Sequence, residues 1–352
     1  MEFADTPEQA LLRDTVRAFA ARHGTPEQVR ATMTGPTGCD HHTWERLARE
    51  LGLTALAVPE RYGGAGAGPA EVAIAVEELG RVLLPSPYLS TAVVALALSD
   101  QADQADPAFA ERYLPGLADG SLIGALALDA DVVSAGGTIS GVARHVVDGG
   151  LAGLLLVRAG DQLMAVSAAD TAIEQLNTLD QTRRQALVRF DQTPALLAGP
   201  AAPVIAMQRV LLAAECAAAA RHCLEVTVEY LKTRRQFGRP IGSFQALKHR
   251  AADLAVAVES AHATARAAVW TAATDPARLA TLAPLAALHC SRTFVQVAAE
   301  MIQLHGGIGF TWEHETHLYL KRAKSTQLLL GPVSGLRTEI AGQADLLPGR
   351  RG

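Results

Sequence analysis

Apolar residues first recur at helical spacing. Leu12, Val16, Phe19 and Ala20 fall on one face. Thr6-Pro7-Glu8-Gln9 stands just before them. Thr6 suits an N-cap, Pro7 the first helical position, and Gln9 completes a capping box. Trp44, Leu47 and Leu51 repeat the spacing in a second helix. Proline and paired glycines turn Pro59 to Gly66 into a loop. Further helix is predicted from Ala70 to Arg81 and from about Ser90 to Leu117. Near Ser121 the period changes. Leu122–Leu128, Gly141–Val147, Leu151–Val157, Gln162–Val166 and Ala186–Phe190 are short strand-like runs, parted by Gly136-Gly137, Gly149-Gly150 and Gly160-Asp161. Close spacing without helices between predicts a small antiparallel barrel or sandwich. After Pro203, three Ala- and Leu-rich stretches predict long helices: Ala206–Arg234, Phe244–Ala273 and about Ala283–Leu304. Their length and small side chains suit a close-packed bundle. The expected division is a helical domain over 1–120, a short β-domain over 121–200, a helical bundle over 201–343 and a frayed tail over 344–352.

Composition narrows the function. Apolar residues make up 49% of the 352, enough for a large core and too many for a disordered chain. A net charge of −5, with its basic residues scattered, gives no electrostatic reason for a nucleic-acid partner. Low-charge runs such as Leu211–Ala220 are too short for a bilayer about 30 Å thick and predict core helix, so no membrane partner is expected. Met1 to Asp5 lacks the basic-then-apolar order of a signal peptide, so a cytoplasmic protein is expected. Cys39, Cys216, Cys223 and Cys290 form no CxxC pair and are expected to be buried free thiols.

The chemistry concentrates in two segments: Arg234-Arg235-Gln236-Phe237-Gly238-Arg239-Pro240-Ile241-Gly242-Ser243-Phe244-Gln245 and Gln303-Leu304-His305-Gly306-Gly307-Ile308-Gly309. A dinucleotide offers a pyrophosphate, which suits the forked donors of Arg. It offers an adenine, which needs a flat apolar surface, and it needs glycine where backbone comes close. Either segment alone is an ordinary helix end, since Arg and Gly are common there. Both together, joined by two helices, point to a cofactor.

Arg234 to Asp253 resembles the R-x-Q-F-G-x-P-I-G-x-F-Q-x-x-K-H-x-x-A-D pattern of the acyl-CoA dehydrogenase family. Gln303 to Glu313 resembles its Q-x-x-G-G-x-G-x-x-x-E pattern, Pro59 to Gly64 its P-E-x-x-G-G loop, and Glu77 to Arg81 the helix after that loop. The resemblance implies an α+β fold of that family: an N-terminal helical domain, a small antiparallel β-barrel or sandwich, and a C-terminal four-helix bundle. It implies FAD as cofactor and α,β-dehydrogenation of an acyl-CoA thioester. It implies that Arg234, Gln236, Phe237, Ile241, Phe244, Gln245, Gln303, Leu304, Gly306 and Gly307 face FAD. In the family these segments reach a neighbouring subunit's flavin, so a self-dimer or a heteromer is implied.

The departures matter as much. The family's catalytic Glu lies in a segment similar to R-D-A-K-x-x-x-I-x-E-G-T, where this chain has Leu330, with Pro332 in place of the Thr. The alternative seat, on the first long bundle helix, falls on Gln208. Neither side chain accepts a proton usefully near neutral pH. Glu215 shares a helix face with Gln208 and is the one weak candidate base, otherwise a carboxylate at a packing boundary. By the resemblance, Arg209 supports the loop around Leu330. The family's T-E-P-x-A-G-S-D and W-I-T-N segments beside the flavin ring correspond to Ala127–Asp131 and to His145–Asp148. The implied partner is therefore a catalytic paralogue in an α2β2 heterotetramer, resembling actinobacterial steroid side-chain dehydrogenases, with acyl-CoA bound at the partner's site. A self-sufficient flavoenzyme with a displaced base and a non-enzymatic scaffold are the alternatives. Glu313-His314-Glu315-Thr316-His317 lacks HExxH spacing and predicts a solvated face rather than a metal site. His41-His42 is expected in a loop, and His249 in packing.

Overall fold

The computed structural model describes residues 4–101 and 107–343. The expected tail over 344–352, and the part of the expected 90–117 helix over 102–106, lie outside the described residues. The chain opens with helices α1 (Pro7–His23), α2 (Pro26–Thr34), α3 (His41–Arg49), α4 (Pro69–Arg81), α5 (Tyr88–Gln101) and α6 (Pro107–Asp119). Eight strands follow: β1 (Gly124–Ala127), β2 (Asp129–Ala135), β3 (Thr138–Val147), β4 (Leu154–Ala159), β5 (Gln162–Ser167), β6 (Ala172–Gln175), β7 (Gln185–Pro194) and β8 (Leu196–Pro200). The rest is helix α7 (Ala201–Thr233), a short hairpin of β9 (Arg235–Gln236) and β10 (Arg239–Pro240), then α8 (Gln245–Thr274), α9 (Leu279–His305), α10 (Thr316–Leu329) and α11 (Val333–Gln343).

Two compact units divide this chain. One takes the chain up to Pro26, Val76–Leu84 and the chain from Arg209 onward; the other takes Glu27–Ala75 and Pro85–Gln208.

In the second unit the strands form two four-stranded sheets, ordered β1-β4-β5-β8 and β2-β3-β7-β6. Their pairings are antiparallel except β1–β4, which is parallel because the chain visits the other sheet as β2 and β3 between them. Ala125, Ile139, Ala143, Val146, Leu155, Val157, Val188 and Phe190 fill the core between the sheets. β2 and β6 carry no apolar run that marks them in the sequence, and β8 offers only Leu196-Leu197-Ala198 before Gly199-Pro200. All three are edge strands, and their side chains are mostly exposed. A Cβ at Gly124 would stand 2.7 Å from Val94, so β1 lies directly on α5. The indole N–H of the buried Trp44 donates to the Gly120 carbonyl at 2.9 Å and ties α3 to the end of α6.

The first unit is helical. Thr6 caps α1, with the reciprocal Gln9 bond in place. Val16, Phe19 and Ala20 are buried. Arg13 and Arg17 of α1 pair with the buried carboxylates Glu77 and Glu78 of α4. The acidic pair before Leu79-Gly80-Arg81 therefore anchors one helix to another. α7, α8, α9 and α10 build the bundle, with the short α11 against α9. The reading of Leu211–Ala220 as too short for a bilayer needs correction: it belongs to a 33-residue helix long and apolar enough to cross one. Of its most apolar stretch, 61% is buried within the protein, because small side chains let neighbouring helices close over it. All four cysteines are buried free thiols. Burial pushes the Cys39 and Cys290 thiols up to about 12.

Candidate functional site

The Arg-Phe segment folds as one device. α7 ends at Thr233, and the chain reverses between β9 and β10, with Arg239 opposite Gln236 and Pro240 opposite Arg235. Phe237 (φ 52°) and Gly238 (φ 77°) make the turn, both left-handed, the two-residue form that matches strand twist. A non-glycine residue there costs free energy. Phe237 accepts that cost while its side chain is 90% exposed. The Phe244 ring meets Phe237 edge-on at 6.0 Å and carries the Arg239 guanidinium 4.2 Å from its centroid. A Cβ at Gly242 would stand 2.8 Å from the Leu231 carbonyl, so this glycine seats the turn at 241–243 against α7. Arg234, Gln236 and Gln245 are exposed; Ile241 and Phe244 are half-buried.

The Gln-Gly-Gly segment ends α9. Gln303 is exposed, Leu304 and His305 are buried, and Gly306 turns the chain at φ 66°. A Cβ at Gly306 or Gly307 would meet nothing within 4 Å, leaving open space where backbone N–H groups could approach a ligand. Gly309 is different: a Cβ there would lie 2.7 Å from the Ile302 carbonyl. Thr316 donates to the Gly309 carbonyl at 2.6 Å and closes the loop that follows. Ile308, Phe310 and Trp312 stand exposed on that loop. Surface of this kind marks a binding face.

The two segments are joined by a set of rings. Tyr230, one turn before Arg234, stacks on His305 with centroids 4.4 Å apart and planes 23° apart. His314 lies 4.7 Å from His305 on a tilted plane. His305 Nδ1 sits 2.7 Å from the Met301 carbonyl, so that nitrogen carries the proton. Burial pushes the His305 pKa below its ordinary value, although the Met301 carbonyl favours the charged ring. The solvated face expected at 313–317 is corrected here: His314 packs on His305, and His317 packs on Trp312 at 4.7 Å. The chain returns at this point into α10, so these rings face protein. His305 stands between Gln303 and Gly306 in the sequence and His314 within the Glu313–His317 run; Tyr230 carries no such signal.

At the positions expected for a base the geometry is plain. Leu330 caps α10 and is buried, with Gly331 left-handed behind it. Arg209 pairs with Glu339 of α11 at 2.7 Å, tying α7 to the helix that follows the Leu330 loop. Gln208 is half-buried on α7. Glu215 is buried and meets Arg322 of α10 at 2.9 Å; their side chains are 5% and 3% exposed. Gly80 makes room for it, since a Cβ there would stand 2.3 Å from Glu215 Cγ. Proton transfer to this carboxylate would leave a buried guanidinium without its counter-charge, an expensive state.

In the β-sheets, Asp129 and His145 meet at 3.0 Å, both more than half exposed. His145 has φ 52° at an irregularity in the β3–β7 register. Asp148 is buried, also left-handed, and accepts from the Ser90 hydroxyl at 2.6 Å.

The chain matches two family descriptions: Acyl-CoA dehydrogenase, C-terminal domain, over residues 201–344, and Acyl-CoA dehydrogenase, N-terminal domain, over residues 6–121. The chain belongs to the acyl-CoA dehydrogenase family. Residues 122–200, which form the sheets, lie between the two matches. Among its relatives in the family is acyl-CoA dehydrogenase IpdE2 of Mycobacterium tuberculosis, 44% identical over 331 residues, covering 94% of this chain and 95% of that one. Two solved structures share the fold along nearly the whole length. The ChsE4-ChsE5 complex from Mycobacterium tuberculosis has a TM-score of 0.91 at 27% identity, covering 99% of this chain and 100% of its own. The Tcur3481-Tcur3483 steroid ACAD variant has a TM-score of 0.88 at 30% identity, covering 96% and 98%.

Membership in the acyl-CoA dehydrogenase family brings FAD as the cofactor. The two segments fit it: an exposed Arg, exposed amides, an exposed ring and open space over two glycines. The sheets fit a flavin ring poorly. Phe190 is the one Phe, Tyr or Trp in residues 122–200, and it is buried.

Proposed function

We propose that this chain is the non-catalytic member of a heteromeric, FAD-dependent acyl-CoA dehydrogenase and completes the FAD site of a paralogous subunit that carries the base. Leu330 carries the reading: an alkyl group, buried, where a member of this family keeps its catalytic carboxylate. Gln208 cannot replace it, and Glu215 is committed to Arg322. In α,β-dehydrogenation a base takes the α-proton while the β-hydrogen leaves with its electron pair. FAD, when bound, supplies the hydride acceptor.

The chain's own contribution is binding. Arg234 offers forked donors to a pyrophosphate. Phe237 offers a flat apolar face, and Gln236, Gln245 and Gln303 offer amides. Gly306 and Gly307 let backbone come close. Ile241 and Phe244 support the hairpin, and Leu304 anchors the second segment in the bundle. These groups face outward, so their ligand belongs with a second subunit. Two related structures with paired names, ChsE4-ChsE5 and the Tcur3481-Tcur3483 steroid ACAD, favour a paralogue over a second copy as that subunit; an α2β2 heterotetramer is the assembly we propose. The second of these names also favours a steroid-derived acyl-CoA as substrate, bound at the partner's site.

Co-expression with a paralogue bearing an intact E-G-T segment should give a yellow complex that reduces an electron acceptor with acyl-CoA. This chain purified alone should be colourless and inactive. Full dehydrogenase turnover by the lone chain would reject the proposal.

A further inference from the structure

The exposed hairpin and the Gln303–Gly307 turn come from helices that end far apart in sequence. If both serve one cofactor, their relative placement has to be set by something in this chain. The ring column is placed to do so. Tyr230 stands on the last turn of α7, where its carbonyl accepts from the Arg234 N–H at 2.9 Å. His305 lies between the exposed Gln303 and the left-handed Gly306. His314 closes the column from the returning loop, where its Nδ1 accepts from the Thr316 N–H at 3.3 Å.

We infer that His305 is a positioning residue for FAD: its ring, stacked on Tyr230 and backed by His314, fixes the Gln303–Gly307 turn against the root of the Arg234–Arg239 hairpin. This rests on the proposed reading that both segments grip FAD. The geometry gives His305 two fixed constraints. Its Nδ1–H is held by the Met301 carbonyl, which sets the ring plane. Tyr230 covers one face of that plane. An aliphatic side chain would fill space there without fixing a plane. A ring pair also resists sliding, because offset stacking has a preferred geometry. The energy of ordering the two segments is then spent in folding rather than at binding, which raises cofactor affinity by pre-organisation.

The test uses the complex of this chain with its Glu-bearing paralogue, stripped of flavin and titrated with FAD by fluorescence quenching. The wild-type complex must bind FAD first; failure there sinks the proposed function and leaves the column as packing. Given binding, Tyr230→Leu and His305→Leu should each weaken FAD about tenfold. The double variant should lose little more than either, since both remove one shared contact. Tyr230→Phe keeps the stacked ring and should stay within about threefold of wild type. Melting of the flavin-free complexes is measured alongside. If the leucine variants do not assemble, His305→Gln keeps a donor near Met301 without a ring and should still weaken FAD. Wild-type FAD affinity in an assembled ring-less variant would overturn the inference, as would losses that simply add.

Discussion

Glu215→Gln separates a structural carboxylate from a displaced base. The substitution keeps shape and removes charge, leaving Arg322 cationic in a site where it is 3% exposed. Breaking a buried ion pair from one side costs about 3–5 kcal/mol. Gln retains an acceptor oxygen, so the low end, about 3 kcal/mol, applies. That is a factor of roughly 150 in the folded-to-unfolded ratio. Replacing both partners at once, Glu215→Leu with Arg322→Met, removes the orphaned charge and should recover most of the loss. Urea unfolding of the single and double variants measures this directly. Steady-state turnover of the heteromeric complex is measured on the same preparations. The expected pattern is a large stability loss for the single substitution, recovery in the double, and turnover per folded complex near wild type in both. A Glu215→Gln protein as stable as wild type but without turnover would refute the reasoning, because Glu215 would then be moving protons.

Two further outcomes are expected. Burial, then the nearby Arg81 charge, pushes the His222 imidazole down to about 4; the folded chain keeps it neutral while the unfolded chain protonates near 6.5. Stability is therefore full above pH 6.5 and is lost as pH falls towards 4, by up to about 3 kcal/mol, and His222→Phe should flatten that part of a urea-midpoint profile measured against pH. Leu330→Glu restores a carboxylate at the family's position, yet the isolated chain should remain inactive and unfold more easily, because the charge enters a buried site; acyl-CoA turnover by that lone variant would show that the chain holds a flavin ring of its own.

Much of the fold was legible because its buried faces are continuous. The spacing of Val16, Phe19 and Ala20 marks α1, and the cap at Thr6 forms as its residue types predict. The bundle helices were found within a few residues, since their apolar runs are long. The misses share one cause: elements whose partners are not in the local sequence. The edge strands β2, β6 and β8 have no buried face to write a period of two. α2 is a short helix with two buried residues, and α10 mixes buried Arg322, Ser325 and Thr326 with exposed Leu328, so its apolar pattern carries almost no period.

The same logic governs the site. Arg234, Phe237, Gly306 and Gly307 could be picked out because the two segments that hold them, each ordinary as a helix end, occur together in one chain. What positions them could not be, because Tyr230, His305 and His314 look like ordinary aromatic and polar residues until the chain brings them into contact. Glu215 was open for the same reason. Its partner lies on another helix, and only the Arg322 contact turns an available carboxylate into a spent one. The pattern of what is strained and what is satisfied then points one way. Phe237 holds a costly left-handed backbone with its ring 90% exposed, while Arg209 pairs with Glu339 and Glu215 with Arg322. Backbone strain at an exposed ring is a pointer to function. Handles turned outward and carboxylates paired inward are the two observations that support the proposed role of finishing a neighbour's site.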